Sequence, residues 1–314
     1  MSLNPLVSII IPVYNREKLI LETLKSVNNQ SYLNWECILV DDQSTDDSYN
    51  IISNYIHDKP KFKLFVRPSS FSKGGCGARN YGFEISNGEY VNWFDSDDIM
   101  ATDFLSEKVK IFIQNSDVDA VISNTAFFTN SINQITGYEK RTFFSNNLLE
   151  DFATHKRSWY ICDPLWKKKF LLGKDLFNSG LLKGQDRDFH TRMLIHKPKI
   201  LFSEGVLCYY RQHLSSISNN FSIEVYKSLN DSLIQRLELL KNEMVSFSTV
   251  LFMLKLISKN YKYIYKENNA SKTVVNLYLN NFNLSYTFLL WFCKINLAII
   301  SFRLFGKGEK FLKG

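Results

Sequence analysis

Asp95-Ser96-Asp97-Asp98 places three carboxylates in four positions, directly after Gly88-Glu89-Tyr90-Val91-Asn92-Trp93-Phe94, which reads as a buried strand. Like charges packed this closely repel, and burial makes the repulsion worse. A bound cation removes the conflict, and hard divalent ions prefer oxygen ligands. Three other segments have chemistry at suitable intervals: Pro12-Val13-Tyr14-Asn15, Asp41-Asp42, and Gly77-Ala78-Arg79-Asn80. An acid such as Asp42 can accept the imide N–H of a uracil, and Tyr14 can stack on the base. Arg79 can pair with a carboxylate or a phosphate oxygen. Asp97 can hold a divalent ion that bridges a diphosphate. Together these residues suit a metal site serving a phosphate-bearing substrate.

The elements between these segments would bring them together. Val7–Val13, Glu36–Val40 and Phe62–Val66 read as short apolar strands. Leu19, Ile20, Leu24 and Val27 have helical spacing; Ser44-Thr45-Asp46-Asp47 is expected to cap a helix carrying Ile51, Ile52 and Ile56. The glycine-rich turn 74–77 leads into a further helix through Ala78, Tyr81, Phe83 and Ile85. Strands alternating with helices predict α/β structure with a mostly parallel sheet, whose carboxyl edge would collect all four segments. Residues 118–175 are mixed, with a strand near Val118–Ser123. A helix over Gln185–His196 and a strand within Ile200–Tyr210 come next, and the chain is helical from about 221.

Val7-Ser-Ile-Ile-Ile-Pro-Val-Tyr-Asn15 and Val40-Asp-Asp-Gln-Ser-Thr-Asp46 resemble the opening of family 2 glycosyltransferases. Gly77-Ala-Arg-Asn-Tyr-Gly82 and Phe94-Asp-Ser-Asp-Asp98 match later blocks of that family. The resemblance covers roughly residues 5–220. It implies a GT-A fold, with a nucleotide-sugar half over about 1–100 and an acceptor half over about 101–220. It also implies an inverting, hexosyltransferase-type enzyme that uses a nucleotide-diphosphate sugar, expected to be a UDP-sugar, with Mn²⁺ or Mg²⁺. Pro12, Tyr14 and Asp42 would form the uridine pocket, with Asn15 and Ser96 among the nucleotide-sugar contacts. Arg79 would support the nucleotide or the acid cluster, Asp95 would lie near the ribose, and Asp97 would bind the metal. Gly184-Gln185-Asp186-Arg187-Asp188 corresponds to the block supplying the general base, which would be Asp186; Gln185 stands where the family usually has Glu. The late block Tyr209–His213 adds Arg211 as a diphosphate contact and His213 as a metal ligand or phosphate donor. Trp159, Tyr160, Trp166 and Phe170 read either as core or as an acceptor platform. The expected acceptor is a saccharide, free or lipid-linked, in cell-surface polysaccharide synthesis. The alternative is a nucleotide-sugar-binding protein of the same fold without activity.

With 314 residues and 45% hydrophobic content, the chain can build a sizeable core. Its five cysteines contain no CxxC pair, which suits reduced thiols and a cytoplasmic protein. The apolar run at Val7–Val13 lacks the flanks of a secretory signal. A nicotinamide-binding reading of Gly75-Cys-Gly77-Ala-Arg-Asn80 fails, because the segment follows a third strand and ends in Asn. The net charge of +7 is unevenly placed: residues 221–314 carry 13 basic against 6 acidic side chains, and the remainder is balanced at 25 each. Such asymmetry points to an anionic partner. We expect an anionic membrane surface at the inner face of the cell membrane rather than nucleic acid. The apolar run Leu284–Phe302 is just long enough to span a bilayer, which takes ~20 residues. Lys294 at its middle would cost roughly 2.5–3.5 kcal/mol there, so an interfacial helix with basic flanks is the better expectation.

Overall fold

The computed structural model describes residues 4–139, 145–213, 222–266, 270–281 and 283–313. The chain divides into two compact units. The first comprises residues 1–145, 158–179 and 196–216; the second comprises 146–157, 180–195 and 217–314.

The first unit is built on a nine-stranded sheet. Its strands are β1 (Val7–Val13), β2 (Trp35–Asp41), β3 (Phe62–Val66), β4 (Tyr90–Trp93), β5 (Ile99–Met100), β6 (Ala120–Phe128), β7 (Ile135–Glu139), β8 (Leu165–Lys167) and β9 (Ile200–Arg211). The order is β3-β2-β1-β4-β8-β6-β9-β5, with β7 beside β6. β3, β2, β1 and β4 run parallel. β8 is antiparallel to both β4 and β6, and β6 is parallel to β9. The carboxyl ends of β6 and β9 therefore share an edge with those of the first four strands. Helices cover both faces of the parallel strands, so β1 and β2 are near-continuous apolar runs.

Three helices carry the chain between the parallel strands: α1 (Ile20–Asn28), α2 (Ser48–Ile56) and α3 (Gly75–Glu84). α4 (Phe104–Gln114) and the short α6 (Lys168–Leu171) complete this unit. A Cβ on Gly82 of α3 would lie 2.4 Å from the Ile10 side chain, so glycine there lets the helix sit close on the sheet. The α2 cap is narrower than the acidic run suggests. Asp46 accepts the Ser48 N–H at 3.0 Å and the Glu17 N–H at 3.1 Å, while Asp47 makes no side-chain cap bond.

The second unit contains α5 (Leu148–Ala153), α7 (Gln185–Ile195), α8 (Ile223–Asn242), α9 (Phe247–Ile264), α10 (Ala270–Asn280) and α11 (Tyr286–Phe305). Its core is separate from that of the sheet and is centred on Leu237, Met253, Leu254, Tyr261, Phe288 and Ile295. Ser222 and Ser285 cap α8 and α11 by accepting the N–H three residues on. Gly306, with φ +65°, ends α11 in the left-handed conformation. Ser228 Oγ of α8 accepts the Leu182 N–H at 2.7 Å, which ties the approach to α7 onto α8.

Candidate active site

Parallel pairing continues past the strand ends and fixes the residues just beyond them. Asp42 N–H donates to Val13 O at 2.8 Å, Arg67 N–H to Asp41 O at 2.8 Å, and Phe94 N–H to Ile10 O at 2.9 Å. Each strand thus delivers its next residues to the same edge. Pro12 lies in β1, and Tyr14, just past the end of that strand, is 44% exposed. Asn15 takes positive φ (51°), and its backbone N–H donates to Ser44 Oγ while its side chain accepts from Thr45 N. Asp41 accepts the Ser44 N–H and closes the turn after β2.

Asp42 is buried and held from two sides. Arg67 Nε donates to Oδ1, and Gly74 N–H donates to Oδ2 at 2.8 Å. Arg67 also donates to Pro68 O and Phe71 O, so one guanidinium organises the loop leading to α3. A Cβ on Gly77 would meet Ser72 O at 1.8 Å, so only glycine fits between this loop and the helix.

The acid cluster is also wired to named partners. Arg79 Nη2 donates to Asp95 Oδ1 at 2.8 Å, while its guanidinium lies 5.4 Å from the Phe177 ring centroid. Asp97 Oδ2 receives Arg16 Nε at 3.1 Å and lies 3.1 Å from His213 Nε2. Asp98 Oδ1 accepts the Arg211 backbone N–H at 2.8 Å. The Arg211 side chain donates to Asp97 O at 2.8 Å and to Glu22 at 2.7 Å, and it is 5% exposed. Ser96 is buried in the same turn.

The three acids differ electrostatically. Burial raises the pKa of Asp95, and the Asp97 charge adds to this against the pull of Arg79. Burial and the charges of Asp97 and Asp95 push Asp98 well above the usual carboxylate range. Burial also opposes ionisation of Asp97, but His213 and Arg16 outweigh it and hold the carboxyl low. Of the three acids, Asp97 is the one whose carboxyl is held below its ordinary pKa.

A family model described as "Glycosyl transferase family 2" matches residues 8–168, over half of the chain and every element that carries this edge except the end of β9. The chain belongs to glycosyltransferase family 2. A curated relative of this glycosyltransferase from Escherichia coli, WfaP, is named UDP-Glc:alpha-D-GlcNAc-diphosphoundecaprenol beta-1,3-glucosyltransferase. The two are 39% identical over 225 residues, 72% of this chain and 84% of WfaP. Among solved structures, S. aureus TarS 1–349 in complex with UDP-GlcNAc superposes with TM-score 0.64 at 17% identity, over 98% of this chain and 89% of that one. Mannosyltransferase PcManGT from Pyrobaculum calidifontis, solved with GDP-Man and Mn²⁺, gives TM-score 0.56 at 19% identity, over 99% of this chain and 86% of that one. The glycosyltransferase has the GT-A fold.

Among the described residues of the transferase, two groups of side chains could be considered for a metal ion. Asp98, Cys162 and Cys208 have ligand atoms within 4.8 Å of one another and are all buried. Contact with Cys208 and burial push the Cys162 thiol well up, and burial pushes Cys208 up to about 11. Protonated thiols are poor ligands, and sulfur is the wrong donor for Mg²⁺ or Mn²⁺. The edge itself fits better: the Asp97 carboxyl is held low in pKa, Asp95 is its neighbour, and the His213 imidazole already reaches the Asp97 oxygen. Carboxylate and imidazole together suit Mn²⁺. Arg16 occupies the same oxygen and would have to yield part of it.

In the second unit, Gly184 (φ +82°) precedes α7, whose first turn carries Asp186 and Asp188. The two acids are unlike. Asp188 is buried and paired with Arg192 at 2.6 Å, and burial raises its pKa against the charges of Arg192 and Arg236. Asp186 is half-buried. Gln185 donates back to Leu181 O at 2.7 Å and so reinforces the turn into the helix. Of the aromatic residues near this block in sequence, Trp159 and Trp166 belong to the buried interior of the sheet unit. Tyr160 stacks on Tyr210, and Phe170 stacks on Trp166.

Sequence reasoning missed Arg16, Arg67 and Glu22. Arg16 directly follows the Tyr14-Asn15 block, and Arg67 directly follows a strand that ends at the carboxyl edge. A basic residue at a strand end beside candidate acids was the available signal.

Proposed function

We propose that this chain is an inverting, metal-dependent glycosyltransferase. It moves a sugar from a UDP-sugar to a saccharide acceptor carried on a polyprenyl diphosphate, in the synthesis of a cell-surface polysaccharide. The observation that carries this reading is the shared edge on which Asp42, Asp95 and Asp97 each have a fixed basic or N–H partner. WfaP supports the donor and acceptor classes, since its name specifies UDP-Glc and a diphosphoundecaprenol-linked sugar.

In this reading Tyr14 stacks on the base and Asp42 accepts its imide N–H. Two of the roughly four lone-pair sites of the Asp42 carboxylate are used by Arg67 and Gly74, which leaves acceptor capacity. Pro12 and Asn15 shape the pocket rim, and Ser96 and Asp95 line the ribose side. Asp97 and His213 would hold the divalent ion, which when bound would neutralise charge developing on the diphosphate leaving group. Arg79 keeps Asp95 oriented. Arg211 works from behind the cluster, fixing the Asp97 carbonyl and the Asp98 carboxyl. Asp186 removes the proton from the attacking acceptor hydroxyl, a contribution of typically 10²–10⁴-fold. Direct attack with one base inverts the anomeric centre.

The test is a panel of UDP-sugars with Mn²⁺ and a polyprenyl-diphosphate-linked acceptor, scored by release of UDP. Asp97→Asn is expected to lose activity by ~10²-fold or more, and Asp186→Asn by ~10²–10⁴-fold. Undiminished turnover in Asp97→Asn would remove the metal assignment. A full rate in Asp186→Asn would remove the base.

A further inference from the structure

α11 is apolar around most of its circumference, but the second unit covers only one side. Phe288, Trp291, Ile295, Ile299 and Phe302 are buried in that unit's core. The opposite side carries Tyr286, Leu290, Cys293, Leu297, Ile300 and Leu304 at alternating spacings of four and three, which is one face of a helix. All six are exposed, from 38% at Leu290 to 79% at Tyr286, with Cys293 also exposed. No charged residue interrupts the stripe. From Tyr286 to Leu304 it covers 19 residues, about 27 Å at 1.5 Å per residue step. Among the described residues this is also the one helix long and apolar enough to cross a membrane.

The charges around the stripe favour one kind of partner. Between residues 284 and 313 the basic side chains are Lys294, Arg303, Lys307, Lys310 and Lys313, and the acidic one is Glu309. Lys294 sits at the edge of the stripe, donating to Lys313 O at 3.2 Å with its ammonium 5.1 Å from the Trp291 ring centroid. Arg303, Lys307, Lys310 and Lys313 are exposed.

We infer that the outer face of α11 is a docking surface for an anionic lipid bilayer, with the helix lying in the plane of the interface. An apolar face with a basic rim is what such a surface recognises. Spanning would require stripping the inner face from the core of its unit, whereas lying flat leaves that packing intact. A second copy of the chain fits less well. A stripe about 27 Å long and ~10 Å wide offers roughly 300 Å², against the ~800 Å² per partner of a stable complex. Side-by-side parallel pairing would also bring the two basic ends together.

Flotation of the full chain with phosphatidylcholine vesicles, with and without phosphatidylglycerol, tests the inference. The chain should float with the anionic vesicles, and salt should weaken the association. Leu297→Glu with Ile300→Glu should lower the bound fraction about tenfold or more. Lys307→Glu with Lys310→Glu, which leaves the apolar face intact, should weaken binding to anionic vesicles alone. Failure of the wild type to float, or equal flotation of the Leu297/Ile300 variant, would overturn the inference. So would a dimer in sedimentation that the same variant dissociates while neither protein floats. Flotation is read without turnover, so it fails or succeeds separately from the proposed glycosyl transfer.

Discussion

The two units use their polar residues in opposite ways. In the sheet unit, Asp42, Asp95, Asp97 and Asp98 gather with their basic or N–H partners at one edge, at or just beyond the strand ends. In the helical unit, the organised polar contacts join helices, as where Ser228 holds the approach to α7 and Glu150 accepts from Ser246 at the start of α9. A strand end places one residue to within a hydrogen bond of its neighbours. A helix places a face. The first arrangement suits a reaction site, and the second suits a surface.

Breaking one contact in each unit tests this contrast. The largest stability effect is expected at Arg67. Arg67 and Asp42 are both 5% exposed, and removing one partner leaves a buried charge uncompensated, typically at 3–5 kcal/mol. Arg67→Ala should lower the denaturation midpoint by a corresponding amount and weaken UDP binding in the same protein. A midpoint within error of the wild type would mean that the edge is not organised through this pair.

Ile295→Ala is expected to cost about 2–5 kcal/mol, because the side chain is fully buried in the helical core. Leu297→Ala, two residues on and 49% exposed, should change stability by no more than ~0.5 kcal/mol. Equal costs in denaturant titration would mean that α11 does not have one covered and one open face.

The same contrast explains how much was legible in the sequence. The alternation of strands and helices, and the four blocks at the sheet edge, could be read because three are local turns at the ends of apolar runs and the fourth, Gly77–Asn80, is the glycine-rich first turn of a helix. The pairing of Arg67 with Asp42 could not, because it depends on β2 and β3 lying side by side in register. Arg16 and His213 meet at Asp97 across 81 and 116 residues, a contact with no local signature. In the acidic run before α2 every residue is a competent cap, and tertiary position selects Asp46. α5 and α7 precede residue 220 yet cluster with the C-terminal helices, and nothing in their own sequences marks that association. For α11 the composition announced an apolar helix, and only packing separated its inner face from its outer one.

Titration calorimetry of UDP in the presence and absence of Mn²⁺, on the wild type and on Asp97→Asn and Asp186→Asn, tests the division of roles most directly. The expected result is Mn²⁺-dependent UDP binding in the wild type, its loss in Asp97→Asn, and its full retention in Asp186→Asn alongside abolished transfer. Mn²⁺-dependent UDP binding that survives Asp97→Asn, or disappears in Asp186→Asn, would contradict that division.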